Sequence, residues 1–425
     1  MNFPKALFAE LYGTNQDVIE SHIARYTKLA TEWESYYKTK ADLRFFSSPG
    51  RSEIGGNHTD HNLGKVLAAS IQLDCIAAVA LSGDDIIRVH DITYNKDFSI
   101  DTADTQRIPD ETSSPALIRG IVQGFNNAGY KIGGFNACFT SDVIPSAGVS
   151  SSAAFEMIIC LILDKLFNGG TIPVEKYASV GQFSENHYWD KASGLLDQMA
   201  CAVGGLVAMD FKNPTDPIVE KIAFDFAKQN YSLMIVNTGK GHADLSKEYS
   251  SIPNEMKDVA AQLGQTTLRG LDYADVIANL PKIRKNCGDR AVMRAFHFIE
   301  ENNRVDDEVA ALKENDFQKF LSLIADSGNS SWKWLQNTYV IDLPQEQSIP
   351  VCLALSERFI REKGVGACRI HGGGFAGVIQ TFIPDSLREE YTDYMEKALG
   401  YDKTGTERSP VHAMFVRPYG AVEIC

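Results

Sequence analysis

Long apolar runs and clustered basic charge are both missing from this chain of 425 residues. No segment approaches the about 20 uninterrupted apolar residues of a membrane span, and the most apolar helical candidate, residues 157–167, is interrupted by Asp164. The formal net charge is −14, without the clusters of lysine and arginine that hold phosphate backbones. The sequence therefore predicts that neither a membrane nor a nucleic acid is a partner.

Paired cysteine motifs are missing as well. The eight cysteines are scattered, mostly in apolar surroundings, and none belongs to a C-x-x-C pair. We interpret them as reduced thiols, which cytosolic redox conditions favour. The first residues contain no apolar core followed by a small-residue cleavage site, so we expect a cytoplasmic protein.

The chain does contain a mixture of helical and strand patterns in both halves. Helical spacing covers residues 1–40, whereas short runs at residues 43–48 and 66–81 are typical of strands in a packed sheet. With 44% hydrophobic residues, the chain is long enough for two packed cores. The mixture predicts an α+β fold, and a turn-like segment near residue 215 favours two domains, 1–215 and 216–425.

A serine-rich turn lies between a predicted strand and a predicted helix. The first N–H groups of such a helix are unpaired and its dipole is positive, so phosphate oxygens are stabilised there. A serine hydroxyl can also bind Mg²⁺, which prefers hard oxygen donors. A helix cap is the alternative, and the absence of G-K-[ST] excludes a Walker A loop. The candidate nucleotide-binding residues are Pro145, Ala147, Gly148, Val149, Ser150, Ser151, Ser152 and Ala153.

Three consecutive glycines at residues 372–374 lie between two strand-like segments. Glycines cost backbone entropy, so a chain keeps them where the backbone takes a positive φ or approaches another group closely. Contact with a nucleotide through Gly373 and Gly374 is one interpretation, and a tight hairpin is the other. Taken with the serine-rich turn, the glycines indicate an enzyme that holds a nucleoside triphosphate.

A polar loop at residues 49–65 is dense in hydrogen-bonding side chains separated by glycines. A polyhydroxylated ligand needs such a loop, because a buried hydroxyl left unpaired costs about 1 to 3 kcal/mol. The alternatives are an ordinary solvated loop and a metal site built from His58, Asp60 and His61. The side chains concerned are Arg51, Glu53, Asn57, His58, Asp60, His61 and Asn62.

Two acidic residues stand out further along the chain, Glu185 and Asp197. Apolar and small residues surround Asp197, and a charge in such a place is unfavourable unless a partner compensates it. Arg51 is a natural partner. A purely structural ion pair is the alternative interpretation.

Four segments resemble, in their chain order, the galactokinase branch of the GHMP kinase family. They are the polar loop, the serine-rich turn, the segment with Glu185 and Asp197, and the glycine turn. Residues 50–67 follow the motif G-R-x-N-x-I-G-E-H-T-D-Y-N-x-G-x-V-L, residues 145–153 follow P-x-G-x-G-L-S-S-S-A, and residues 366–377 follow G-A-R-M-T-G-G-G-F-G-G. The resemblance covers nearly the whole chain. It implies a two-domain GHMP kinase fold with an N-terminal domain like ribosomal protein S5, a ferredoxin-like C-terminal domain and an active site between them.

The resemblance also implies an activity and roles for named residues. The anomeric hydroxyl of galactose would attack the γ-phosphoryl group of ATP, with Arg51 and Asp197 as the catalytic pair. The further matches are Ser151, Ser152 and Glu185 for Mg²⁺, and His58, Asp60, Gly194 and Tyr249 for the sugar. We expect a small-molecule sugar and ATP as partners, and a monomer or a weak homo-oligomer.

Several positions depart from the family motifs. Asn57 stands where the family has Glu, Glu53 where it has Asn, and Gly55 where it has Ile. We assign both Glu53 and Asn57 to the substrate site; in galactokinases the replaced Glu meets the 6-hydroxyl of the sugar. The serine-rich turn is also one residue shorter, with Gly148 as its one glycine. These departures leave two alternatives, a kinase for a sugar altered at carbon 6, such as galacturonate, and a catalytically silent sugar sensor.

Overall fold

The structure, a computed structural model, describes residues 3–111, 113–144, 148–191, 193–239, 245–404 and 408–425. These residues form twelve strands, numbered in chain order: β1 (Arg44–Gly55), β2 (Lys65–Leu81), β3 (Ile86–Asp91), β4 (Lys96–Asp101), β5 (Phe135–Ser141), β6 (Leu206–Asp210), β7 (Ile218–Ile222), β8 (Tyr231–Asn237), β9 (Ala367–Ile370), β10 (Val378–Pro384), β11 (Val411–Met414) and β12 (Val422–Glu423).

The same residues form thirteen α-helices. They are α1 (Lys5–Tyr12), α2 (Gln16–Tyr37), α3 (Ser114–Asn127), α4 (Ser151–Leu163), α5 (Val174–Tyr188), α6 (Leu196–Val203), α7 (Ser246–Gln262), α8 (Tyr273–Ala278), α9 (Leu280–Cys287), α10 (Asp289–Lys313), α11 (Phe317–Ser330), α12 (Ser348–Lys363) and α13 (Arg388–Ala398). Across the described residues, no helix combines bilayer-spanning length with an apolar composition.

The long strand β2 organises a large eight-stranded sheet. Its neighbour on one side is β1; on the other side β6 pairs with residues 65–69 and β5 with residues 75–81. The sheet order is β12-β1-β2-β5-β3-β4, with β7 paired to β6. Helices α1 and α2 pack on one face and α3 to α6 lie on the other. Because both faces are covered, β2 reads as an almost continuous apolar run.

A smaller antiparallel sheet has the order β11-β8-β10-β9. Helices α11 and α12 pack against β9, and α12 and α13 pack against β10. The 25-residue helix α10 contacts α7 and α11 and also packs on β2 of the large sheet. This helix therefore links the two sheets, and one apolar core runs from Phe46 in the large sheet to Phe382 in the small one. The α+β fold expected from the sequence is confirmed.

The expected boundary at residue 215 falls between β6 and β7, which pair with each other over residues 206–210 and 218–222. The last strand, β12, also returns to the large sheet beside β1. The large sheet thus draws strands from both sides of residue 215. The division into domains 1–215 and 216–425 stays a prediction.

Candidate active site

A cavity of about 510 Å³ lies where the polar loop, the serine-rich turn, the start of α6 and the glycine turn meet. These segments are far apart in the chain, and the fold brings them to one place. Of the residues named from the sequence, the cavity wall contains Arg51, Glu53, His58, Asp60, His61, Gly148, Val149, Ser150, Ser151, Ser152, Gly194, Asp197, Tyr249, Gly372 and Gly373.

Arg51 and Asp197 form an ion pair in the wall of this cavity. Two guanidinium nitrogens of Arg51, Nε and Nη2, lie 2.8 and 2.7 Å from Oδ1 of Asp197. The third nitrogen, Nη1, donates to the carbonyl of Gly148, and the hydroxyl of Ser150 donates to Oδ2 of Asp197 at 2.5 Å. The side chain of Arg51 is 8% exposed and that of Asp197 is 31% exposed, so the carboxylate is the member of the pair that faces the cavity.

The surroundings keep Asp197 ionised. Burial raises the pKa of this carboxyl, but the charges of Arg51 and Lys191 and the hydroxyl of Ser150 outweigh burial, so the pKa lies below its usual range. Asp197 also lies in the first turn of α6, where the helix dipole favours negative charge. The carboxylate is therefore available as a proton acceptor at neutral pH.

The serine-rich turn leads directly into α4. Gly148 and Ser150 both have positive φ, 66° and 60°, so the chain turns sharply before the helix begins at Ser151. The open N-terminus of α4 and the hydroxyls of Ser151 and Ser152 face the cavity. Ala153, by contrast, is fully buried in the apolar core behind the helix. Pro145 and Ala147 lie outside the described residues.

Glu185 is buried behind the wall residues Ser152 and Lys191, outside the cavity wall itself, in a cluster of polar contacts. Its Oε1 accepts hydrogen bonds from the hydroxyl of Ser152 at 2.8 Å and from the ammonium of Lys191 at 2.5 Å, and its Oε2 accepts from Gln198 at 3.1 Å. Lys191 also donates to the Ser152 hydroxyl at 3.3 Å. An ammonium group therefore stands where a cation would be bound by one hydroxyl and one carboxylate.

Lys191, Gln198 and Glu156 were not singled out from the sequence. Glu156 is fully buried behind Glu185 and accepts a hydrogen bond from Gln198 at 3.0 Å. Burial, with the nearby charge of Glu185, raises the pKa of Glu156 well above its usual value, which favours the neutral form of this carboxyl. Its position within the apolar run of α4 is the sequence signal that could have found it, because a charge among apolar residues is unfavourable.

The glycine turn packs against the polar loop. Nε2 of His58 donates to the carbonyl of Gly373 at 2.9 Å, and the hydroxyl of Tyr249 donates to the carbonyl of Gly374 at 3.1 Å. A Cβ at Gly373 would lie 2.4 Å from the ring of Tyr249, and one at Gly374 would lie 2.3 Å from the carbonyl of Asn337. The glycines are therefore needed for close approach, and Gly374 lies behind the cavity wall.

His58 and Asp60 complete the polar wall. Burial, together with the neighbouring His61, lowers the pKa of His58 to about 3, so its imidazole is neutral at physiological pH. A Cβ at Gly194 would lie 1.9 Å from Oδ2 of Asp60, which explains why a glycine faces this carboxylate. Among the described residues, no cluster of three or more histidine, cysteine or acidic side chains could hold a metal ion, which argues against a metal site at His58, Asp60 and His61.

Comparisons with known proteins agree with this geometry. The "Galactokinase galactose-binding signature" matches residues 31–81, and the "GHMP kinases N terminal domain" matches residues 116–205. The galactokinase of Glaesserella parasuis is 30% identical over 390 residues, which cover 88% of this chain and 94% of that protein. The chain belongs to the galactokinase family. The galactokinase of Streptomyces coelicolor is 30% identical over 359 residues, covering 83% of this chain and 88% of that protein.

Solved structures have the same fold as this member of the galactokinase family. The Lactococcus lactis galactokinase, crystallised in complex with galactose, matches with a TM-score of 0.78 at 22% identity and covers 93% of this chain and 99% of that one. The mevalonate kinase of Methanococcus jannaschii matches with a TM-score of 0.60 at 15% identity, covering 89% and 99%. The family resemblance and the GHMP kinase fold predicted from the sequence are confirmed.

A second cavity, of about 140 Å³, adjoins the serine-rich turn of this galactokinase family member. Ser151 and Ser152 line both cavities, so the two spaces are neighbours. Four aromatic rings lie in the wall of the smaller cavity beside polar side chains, and sequence reasoning missed them because they come from four separate segments of the chain. The rings belong to Tyr94, Phe139, Phe155 and Trp189.

Glu53 and Asn57 differ in their position relative to the main cavity. Glu53 lines the main cavity, whereas Asn57 is fully buried and is not part of its wall within the described residues. The two side chains contact each other, because Nδ2 of Asn57 donates to Oε1 of Glu53 at 2.9 Å. The polar loop therefore presents the carboxylate of Glu53 to the cavity.

Proposed function

We propose that the protein is an ATP-dependent kinase that phosphorylates the anomeric hydroxyl of galactose, giving galactose 1-phosphate and ADP. The observation that carries this proposal is the ion pair of Arg51 and Asp197 in a cavity wall that also contains the start of α4. Family membership supports the same activity.

In this proposal Asp197 acts as the proton acceptor. The anomeric oxygen forms a bond to the γ-phosphorus as the bond between that phosphorus and the β,γ-bridging oxygen breaks, and ADP leaves with the electron pair. The hydroxyl proton passes to the carboxylate of Asp197, whose pKa lies below its usual range because of its charged neighbours. Arg51 holds this carboxylate in place and stabilises charge near the transferred group.

The nucleotide would lie along the serine-rich turn. Phosphate oxygens are stabilised by the free N–H groups and positive dipole at the start of α4, beside Gly148, Val149 and Ser150. The four aromatic rings of the adjoining cavity offer flat apolar surfaces on which a nucleobase would stack. Gly373 lies in the same cavity wall, and the neighbouring Gly372 lies close to Gly148.

Ser152 and Glu185 would hold Mg²⁺, with Ser151 beside them. Hydroxyl and carboxylate oxygens are the donors that Mg²⁺ prefers, and the ammonium of Lys191 already marks a cation position 2.5 Å from Glu185. The ion would neutralise charge on the nucleotide phosphates. Lys191 is 45% exposed, so it can swing towards solvent when a divalent cation binds.

The sugar would lie between the polar loop and α7. Hydroxyl groups find acceptors in Asp60 and Glu53 and a neutral imidazole in His58. Gly194 keeps this space open, and Tyr249 closes its far side. No finding favours a galacturonate kinase or a silent sensor, and the intact pair of Arg51 and Asp197 counts against a sensor.

A coupled assay of ADP release over a panel of aldohexoses, pentoses and uronic acids tests the proposal. We expect turnover that requires ATP and Mg²⁺ and is fastest with galactose. Absence of turnover with every sugar would refute a kinase, and a preference for another sugar would refute galactose as the substrate. We also propose a cytoplasmic location and a monomer or weak oligomer; all eight cysteines are free thiols, in keeping with a reducing compartment.

A further inference from the structure

Asn57 has no polar atom left for a ligand. Its side-chain nitrogen donates to Glu53 at 2.9 Å and to the carbonyl of Gly372 at 2.6 Å, while its side-chain oxygen accepts from Asn337 at 2.9 Å. Its backbone carbonyl accepts a hydrogen bond from His297 at 2.9 Å. The residue is 0% exposed. Asn57 is therefore part of the framework behind the cavity.

One carboxylate oxygen of Glu53, Oε2, accepts no hydrogen bond from the described residues. Both of its hydrogen bonds reach Oε1, one from Asn57 at 2.9 Å and one from Nη2 of Arg369 at 2.7 Å. In the described part of the chain, no donor reaches Oε2. The residue is 6% exposed and lines the cavity, so this small accessible area faces the ligand space.

Two of the departures from the family motif form a reciprocal exchange. The family has Asn at position 53 and Glu at position 57, and this chain has Glu53 and Asn57 in hydrogen-bond contact. The exchange keeps one acid and one amide in the pair but moves the carboxylate from position 57 to position 53, which lines the cavity in this chain. We propose that Glu53 is the specificity-determining residue of the sugar site, and that Oε2 of its carboxylate accepts a hydrogen bond from a sugar hydroxyl.

The position of Glu53 on β1 limits which sugar hydroxyls it can contact. Arg51 and Glu53 are two residues apart on a regularly paired stretch of the strand, so their side chains point to the same face and their Cα atoms are about 6 to 7 Å apart. A sugar whose anomeric oxygen lies at Arg51 and Asp197 therefore presents the opposite edge of its ring to Glu53. The hydroxyls on that edge are those of carbons 3, 4 and 6.

Arg369 holds the carboxylate of Glu53 in place. It is fully buried, and its Nη1 and Nε donate to the backbone carbonyls of Ile54 and Ile370. A bidentate or multiply bonded guanidinium fixes its partner more firmly than an ammonium does. Arg369 acts as a positioning residue, and the side chain of Glu53 has little freedom to turn away from the cavity.

The third departure, Gly55, belongs to the same group. A Cβ at this position would lie 1.8 Å from Oε2 of Glu308, so the glycine makes room for a second buried carboxyl near Arg369. Glu308 is fully buried, and neither of its oxygens has a hydrogen-bond partner within the described residues. A glycine at 55 thus accommodates the altered set of acidic side chains beneath the sugar site.

This inference rests on the proposed function and makes it more specific. A fixed carboxylate at the far edge of the ring accepts a hydroxyl and repels a second carboxylate. The site is therefore suited to a neutral hexose, and a uronic acid would meet like charge there. Galactose is favoured over galacturonate although Asn57 is neutral.

The test combines Glu53→Gln with sugars that each lack one hydroxyl. Loss of a charge-assisted hydrogen bond should raise the KM for galactose about 10- to 100-fold and leave the KM for ATP within about twofold. The deoxygalactose that lacks the contacted hydroxyl, at carbon 3, 4 or 6, should react equally well with wild type and variant. The variant should also narrow the preference for galactose over galacturonate. Glu423→Gln is the matched control, since it removes an arginine-paired carboxylate beside the other end of β1.

The outcomes separate this inference from the function on which it rests. If wild type uses galactose but Glu53→Gln keeps the wild-type KM and the wild-type profile over the deoxy sugars, the role of Glu53 is refuted and the kinase stands. If Glu53→Gln does not fold, wild type alone decides: kcat/KM for galacturonate should be at least about 100-fold below that for galactose, and equal values would overturn the inference.

Discussion

The two ends of the cavity differ in how exposed their polar side chains are. The chemical end contains Asp197 and the contact between Glu185 and Lys191, and both Asp197 and Lys191 keep part of their side chains exposed. The recognition end contains Asn57 and His58, which are buried and bonded to the glycine turn. Groups that exchange partners during a reaction stay accessible, whereas groups that fix a shape are enclosed.

The largest effect is expected from Asp197→Asn at the chemical end. The amide keeps the shape of the side chain but cannot accept the proton, so kcat should fall about 100- to 10,000-fold. Galactose affinity, measured by calorimetry, should change by no more than about threefold. Asp306→Asn serves as the control because Asp306 is an exposed partner of Lys65 outside the cavity. A variant that retains wild-type kcat would show that Asp197 is not the proton acceptor at the chemical end.

A smaller effect is expected from Lys191→Ala, which leaves the buried carboxylate of Glu185 without its cation. We expect a loss of about 1 to 3 kcal/mol in the free energy of unfolding without Mg²⁺, measured by urea denaturation. Lys313→Ala is matched to it: Lys313 is 49% exposed, but its partner Glu220 is exposed as well, so the loss should be below about 1 kcal/mol.

The effect of Mg²⁺ on Tm tests directly whether the chemical end binds a cation. If Ser152 and Glu185 bind the ion, Mg²⁺ should raise the Tm of Lys191→Ala more than that of wild type, because no ammonium competes for the site. Two results together would argue against a cation site at this end. One is an equal loss in the free energy of unfolding for Lys191→Ala and Lys313→Ala, and the other is an equal rise in Tm on adding Mg²⁺ for wild type and Lys191→Ala.

The smallest effect concerns His58 at the recognition end. Its pKa is about 3 in the folded protein, against about 6.5 when unfolded, so only the unfolded chain takes up this proton between pH 6 and 4. Stability therefore rises with pH, and His58 should contribute up to about 1.4 kcal/mol per pH unit to that slope. His58→Gln should reduce the slope relative to wild type. An unchanged slope would mean that the imidazole is not enclosed as described.

The sequence was sufficient to predict the family, the α+β class and the main pair of the site. A charge at position 197 among apolar residues requires a partner, and Arg51 is that partner although 146 residues separate them. The structure also brings the serine-rich turn and Gly373 to the wall of one cavity. Their binding of a nucleotide stays a prediction.

Other features could not have been predicted from local sequence. The contact of Arg369 with Glu53 joins residues 316 positions apart and depends on how β1 and β9 are brought together. The burial of Asn57 likewise depends on its bond to Asn337, 280 residues away in the chain. Such pairings follow from topology, so they become visible only in the folded chain.

The most direct test of the central claim is ³¹P NMR of the product formed from ATP and galactose by the wild-type protein. Proton transfer at Asp197 beside the anomeric hydroxyl predicts a single sugar phosphate, galactose 1-phosphate, whose signal is coupled to the anomeric proton, and a stoichiometric amount of ADP. A phosphate at carbon 6, or ADP formed without any sugar phosphate, would contradict it.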